Sequence, residues 1–335
     1  MDPAQRIERL NGWLARELHG RAFSIEPASS DASFRRYFRV LFGEAGESLI
    51  AMDAPPQHED CRPFIRVARL LAEAGLNAPR VLAQDLEQGF LLLTDLGRDT
   101  YLDVLTAENA DALFAEATDA LLRWQGATRP QVLPPYDEAL LRRELALFPE
   151  WYVGRHLGIE LRPEQRAGLE RVFDALVSSA LAQPVTWVHR DYMPRNLMVS
   201  DPSPGILDFQ DAVTGPVSYD LVSLFRDAFV SWEEERVIDW TVRYWEKARR
   251  LGLPVRSDFG DFYREFEWMG VQRHLKVLGI FARIAHRDGK PRYLADTPRF
   301  AGYVRAAAGR YAPLAPLVRL LDTLEKHEPR VGYTF

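Results

Sequence analysis

Cysteine is nearly absent: Cys61 stands alone among 335 residues. No intrachain disulfide can form, so nothing calls for an oxidising compartment, and Cys61 reads as a bystander. No Cys/His spacing of the zinc-binding kind occurs. No apolar run approaches the roughly 20 residues that span a bilayer. The first residues, Met1-Asp2-Pro3-Ala4-Gln5-Arg6, carry no apolar core of signal-peptide type. A cytoplasmic protein without a membrane partner is therefore expected. A strong excess of charge is missing as well. The 42 Lys+Arg against 48 Asp+Glu leave a net charge of −6, which argues against a nucleic-acid partner. Internal repeats and low-complexity tracts are also lacking. What is there is an ordinary globular balance, 47% hydrophobic and 27% charged, in a chain long enough for two lobes.

The pattern changes character along the chain. Ile7, Leu10, Trp13, Leu14 and Leu18 recur at helical spacing. Strand-like runs then follow at 23–40, broken by a small polar turn at 29–33, and at 48–53, stopped by Pro55-Pro56. A helix is expected over 63–74, with Pro63 in its first turn and Gly75 after its end. Two more strands, 80–84 and 89–94, complete a five-stranded set. Beyond Gly97 helical periodicity dominates, at 109–125, 136–148, 164–181 and from Tyr219 onward. The expectation is an α+β fold in two lobes: residues 1–96 nucleotide-binding, residues 97–335 catalytic and substrate-binding, with a ligand in the cleft between them.

One stretch carries chemistry. His189-Arg190-Asp191 is followed after four residues by Asn196, and an apolar run then closes on Asp208-Phe209. This matches the phosphoryl-transfer signature of kinases. A hydroxyl attacking phosphorus must lose a proton, and Asp191 supplies a carboxylate beside it. ATP travels with Mg²⁺, a hard ion that takes oxygen ligands, and Asn196 and Asp208 offer a neutral and an anionic oxygen.

With these residues the sequence resembles the aminoglycoside phosphotransferase family, and the resemblance spans nearly the whole chain. It implies a protein-kinase-like fold with a five-stranded antiparallel N-lobe and a mainly helical C-lobe. Further stretches are similar to one bacterial branch of that family: residues 30–39, 51–56 and 272–283, and Asp208-Phe209-Gln210-Asp211-Ala212. That branch uses ATP to phosphorylate the anomeric hydroxyl of the amino sugars N-acetylmuramate and N-acetylglucosamine in peptidoglycan recycling. The resemblance implies that Asp191 orients and deprotonates the acceptor, and that Asn196 and Asp208 ligate Mg²⁺. It also implies that Asp220 hydrogen-bonds the catalytic-loop backbone, while His189 looks structural.

Departures from the family pattern shape the remaining expectations. The turn at 29–33 has no glycine. Met52 stands where the family often places a phosphate-binding lysine, and Phe64 stands near its glutamate partner's position. Phosphate charge is then expected to fall to arginine: Arg35, Arg36 or Arg39, with Ser30, Ser33, Thr94 and Arg195 completing the nucleotide set. For the acceptor, Asp211, Arg273 and Lys276 are the candidates, the cations matching a sugar carboxylate. Three other readings stand beside this one: a kinase of an aminoglycoside, choline or homoserine; a non-catalytic nucleotide-binding module; and a protein kinase, which Asp208-Phe209-Gln210 disfavours.

Overall fold

The computed structural model describes residues 3–29, 34–43 and 46–325. In chain order these form α1 (Pro3–Glu17), β1 (Ser24–Ser29), β2 (Arg36–Leu41), β3 (Ser48–Asp53), α2 (Cys61–Glu73), β4 (Val81–Asp85) and β5 (Phe90–Thr94). There follow α3 (Tyr101–Val104), α4 (Ala110–Gly126), α5 (Glu138–Leu145), a π-helical segment (Phe148–His156) and α6 (Pro163–Leu181). Next come β6 (Val185–Val188), β7 (Leu197–Met198), β8 (Gly205–Ile206), β9 (Val213–Pro216) and helices α7 (Tyr219–Phe225), α8 (Glu234–Arg250), α9 (Phe259–Arg287), α10 (Thr297–Ala308) and α11 (Ala315–Glu325). The fold is α+β, as the alternation of patterns leads one to expect.

The chain divides into two compact units, each built from two segments. One holds residues 1–124 and 194–212, the other residues 125–193 and 213–335. A boundary between residues 96 and 97 is a division of another kind, drawn from composition along the chain.

The first unit is built on an antiparallel five-stranded sheet in the order β1-β2-β3-β5-β4. Period-two alternation sends Phe38 and Val40 to one face, where they join Ala51, Leu92 and the apolar stripe of α1 (Leu10, Trp13, Leu14) in a core. The register sets Arg36 opposite Asp53 and Ala51 opposite Leu92. Helix α2 starts where the Asp60 carboxylate accepts the Arg62 N–H at 3.0 Å, and ends before Gly75, whose φ of +69° is the left-handed conformation glycine adopts readily. The β7–β8 hairpin belongs to this unit through backbone bonds: Ile206 N–H to the Asn77 carbonyl at 2.7 Å and Val199 N–H to that of Asp99 at 2.9 Å.

The second unit is organised around α9, 29 residues long, with buried side chains around much of its circumference. Gly279 lets it approach the α5 end closely, because an added Cβ would overlap the Leu147 backbone. The helix expected over 136–148 is shorter than the pattern suggests. It runs Glu138–Leu145 and passes into the π-helical segment, where Pro149 has no N–H to continue an α-helical ladder. Among the described residues no helix is long and apolar enough to cross a membrane.

Candidate active site

In the second unit, β6 pairs with β9 and delivers the chain to His189. The loop that follows is tied down by one side chain. Asp220, in the first turn of α7 and fully buried, accepts the His189 N–H at 2.7 Å on one oxygen and the Arg190 N–H at 2.9 Å on the other. That clamp accommodates Arg190 at φ +78°, a conformation that costs a non-glycine residue about 1 kcal/mol or more. Asp191 follows, half-buried, and its N–H meets His189 Nδ1 at 3.3 Å, so that nitrogen acts as acceptor. The imidazole lies edge-on to Tyr192, at 5.5 Å between ring centroids. Burial raises the Asp220 carboxyl to about 7. Its two N–H bonds oppose that rise, the Asp191 charge reinforces it, and Arg273 counters it.

Sequence reasoning passed over the residue that anchors this loop from behind. Glu144 on α5, 5% exposed, accepts Arg190 Nη2 at 2.6 Å and stands 3.4 Å from Lys276 Nζ. Its other oxygen accepts from the Tyr136 hydroxyl and from Gln272 Nε2, the latter at 3.2 Å. Burial alone would raise its pKa, but Lys276 and Arg190 outweigh burial and, with those hydrogen bonds, hold it down to about 2. A signal was present: Glu144 shares the buried face of α5 with Leu141 and Leu145, where a carboxylate needs partners. Lys276 also donates to the Tyr219 hydroxyl at 3.0 Å. Its charge is thus already matched by Glu144 before any sugar carboxylate arrives. Arg273 is 2% exposed, in electrostatic reach of Asp220 and Asp227, and its Nη1 has no hydrogen-bond partner among the described residues.

The first unit carries the other candidates. Asn196 closes a short 3-10 turn that also holds Arg195, and its carbonyl accepts the Leu207 N–H at 2.9 Å across the β7–β8 hairpin. Asp208 follows at φ +60°, with Oδ1 accepting Gln210 Nε2 at 2.8 Å. Phe209 turns inward against Phe64 at 4.7 Å between centroids, and Met52 is fully buried in β3. Met52 and Phe64, where the family resemblance led one to look for a lysine and its glutamate, are thus both buried and apolar.

The three arginines separate cleanly. Arg36 Nε donates to Asp53 at 3.1 Å, and Arg39 Nε donates to Asp95 at 2.6 Å. Arg35 sits 3.5 Å from Glu59 and within electrostatic reach of Asp208 and Asp211. Burial would lower its pKa, but Tyr37 and these three carboxylates together raise it. Asp211 is exposed, and Thr94 Oγ1 accepts the Arg80 N–H at 2.9 Å at the end of β5. Ser30 and Ser33 lie outside the described residues.

Among the described residues no group of three or more His, Cys, Asp or Glu is placed to hold a metal by itself. Asn196 and Asp208, two oxygen donors on one hairpin, instead fit Mg²⁺, which keeps several waters and shares its coordination with nucleotide phosphates.

Comparison with known proteins agrees with this chemistry. Residues 24–256 match the phosphotransferase enzyme family. An N-acetylmuramate/N-acetylglucosamine kinase from Pseudomonas aeruginosa is 58% identical over 334 residues, covering 97% of this chain and 98% of the relative. One of the same name from Neisseria meningitidis is 49% identical over 336 residues, covering 99% and 100%. Among solved structures, the ADP-bound aminoglycoside phosphotransferase APH(2'')-Ib aligns with a TM-score of 0.59 at 14% identity, covering 87% of this chain and 96% of that one. The choline kinase LicA from Streptococcus pneumoniae aligns at 0.62 and 12% identity, covering 90% and 99%. At such identities these two speak for the fold alone.

Proposed function

The chain belongs to the phosphotransferase enzyme family, and from that premise we propose that it phosphorylates the anomeric hydroxyl of N-acetylmuramate and N-acetylglucosamine, using ATP. The setting is salvage of cell-wall amino sugars in the bacterial cytoplasm. The observation that carries the substrate is the near-full-length likeness to relatives named for these two sugars.

Asp191 accepts the proton as the anomeric O–H bond breaks. The freed oxygen bonds to the γ-phosphorus, and the bond from that phosphorus to the departing ADP oxygen breaks in line. The protein's contribution is placement and charge. Asp220 sets the loop that aims Asp191. Asn196 and Asp208 are the residues that would hold Mg²⁺, which supplies neutralisation of phosphate charge when bound with ATP. Arg35, within electrostatic reach of Asp208 and Asp211, takes the role of the absent lysine. Ser30, Ser33, Thr94 and Arg195 complete the nucleotide contacts. Asp211 and Arg273 serve the sugar, Arg273 suiting the lactyl carboxylate of N-acetylmuramate, while the Lys276 ammonium is held by Glu144.

The test is ADP release across amino sugars, aminoglycosides and choline, with phosphorus NMR on the product. Turnover is expected with the two N-acetylated sugars, and the product phosphorus should couple to the anomeric proton. No turnover with either sugar, or phosphate on another hydroxyl, overturns the assignment.

A further inference from the structure

Arg190 and Lys276 each face two carboxylates. One is Glu144, in direct contact with both cations. The other is Asp191, within electrostatic reach of each. Counting formal charges, two cations and two carboxylates make this group neutral. The geometry is lopsided: Arg190 and Lys276 both meet the same Glu144 oxygen, while Tyr136 and Gln272 hold the other and fix the carboxylate's plane. The four come from three parts of the unit: the segment before α5, the catalytic loop, and two positions of α9 one turn apart.

From this arrangement we infer that Glu144 is a positioning residue that draws Arg190 and Lys276 toward itself, so that these two cations do not pin the Asp191 carboxylate that takes the substrate proton. A carboxylate pinned by two charge-assisted bonds is a poor proton acceptor, since such bonds favour its ionised form. Without the Glu144 charge, two buried cations would have Asp191 as their remaining counter-ion in this cluster. The consequence would appear in the chemical step, because both Glu144 oxygens are already engaged by Arg190, Lys276, Tyr136 and Gln272.

The inference rests on Asp191 as the proton acceptor, so Asp191→Asn is measured alongside. If Asp191→Asn turns over at the parent rate, the functional reading fails and this one with it. If it does not, the remaining arms judge Glu144 alone. Glu144→Gln keeps the shape and removes the charge. Its kcat for N-acetylmuramate is expected to fall roughly 10- to 100-fold, with KM for ATP and sugar within about threefold. Removing a surplus cation should then help: Glu144→Gln with Arg190→Met is expected to recover at least about fivefold in kcat over Glu144→Gln. A merely structural role predicts the reverse, because two damaged contacts add. Near-parent kcat in Glu144→Gln, or a double variant as slow as the single or slower, overturns the inference. Should Glu144→Gln not fold, the double variant is compared with Arg190→Met. Folded enzyme with kcat within about tenfold of Arg190→Met is expected, and an unfolded or inactive double variant overturns the inference.

Discussion

In each unit a buried carboxylate is shared by two cations near its candidate site residues, and the two clusters differ in what surrounds them. In the sheet-bearing unit Asp53, on β3, meets Arg6 of α1 at 2.7 Å and Arg36 of β2 at 3.1 Å. In the helical unit Glu144 meets Arg190 and Lys276. The Asp53 cluster pins the first helix to the sheet, and the Arg36 side chain remains 34% exposed. In the Glu144 cluster the two cations are 17% and 8% exposed, and both lie within electrostatic reach of Asp191, the proposed proton acceptor. On the reading proposed above, the same motif holds structure in one place and sets up chemistry in the other. Which it does depends on what stands next to the cations.

That contrast can be broken at its strongest point first. If Asp191 is the reactive group, Asp191→Asn should lower kcat by roughly 10²- to 10⁴-fold while ATP affinity by calorimetry stays within a few-fold. A nearly active variant would leave the Glu144 cluster with no chemical purpose. A tenfold effect tests the first unit. Arg35→Ala should raise KM for ATP about tenfold, the worth of one charge-assisted contact, whereas Arg36→Ala should leave KM alone and lower the melting temperature. A rise in KM from Arg36→Ala instead would make Asp53 part of the nucleotide machinery and erase the distinction.

The smallest effect concerns pH. The folded Asp220 carboxyl titrates near 7, above the roughly 4 of an unfolded aspartate. Between those values the folded state binds the extra proton, so this group's contribution to stability falls as pH rises from about 4 to about 7. Asp220→Asn removes that slope. The parent's melting temperature minus the variant's should therefore fall as pH rises across this window; parallel curves would refute the assignment.

Much of this was legible in one dimension. The five strands and the helix after the third follow from alternation and punctuation, which act over a few residues. The tied loop was readable as a motif because His189 to Asp208 is local in the chain. Arginine partners were less accessible. Alternation assigns Arg36 and Arg39 to opposite strand faces, yet it does not say that Asp53 and Asp95 wait for them. Glu144 escaped because the spacing of α5 shows only that a carboxylate faces inward, and says nothing of its partners.

By itself, then, the sequence determined the reaction class and the succession of strands along the chain, since each is written in patterns spanning one turn or one hairpin. Tertiary structure decided which charges remain available. Glu144 meets Arg190 across 46 positions, and Gln272 reaches Tyr136 across 136. Such pairings are set by burial and by distance in space, and a buried charge takes the partner that folding brings near. No periodicity along the chain records that choice.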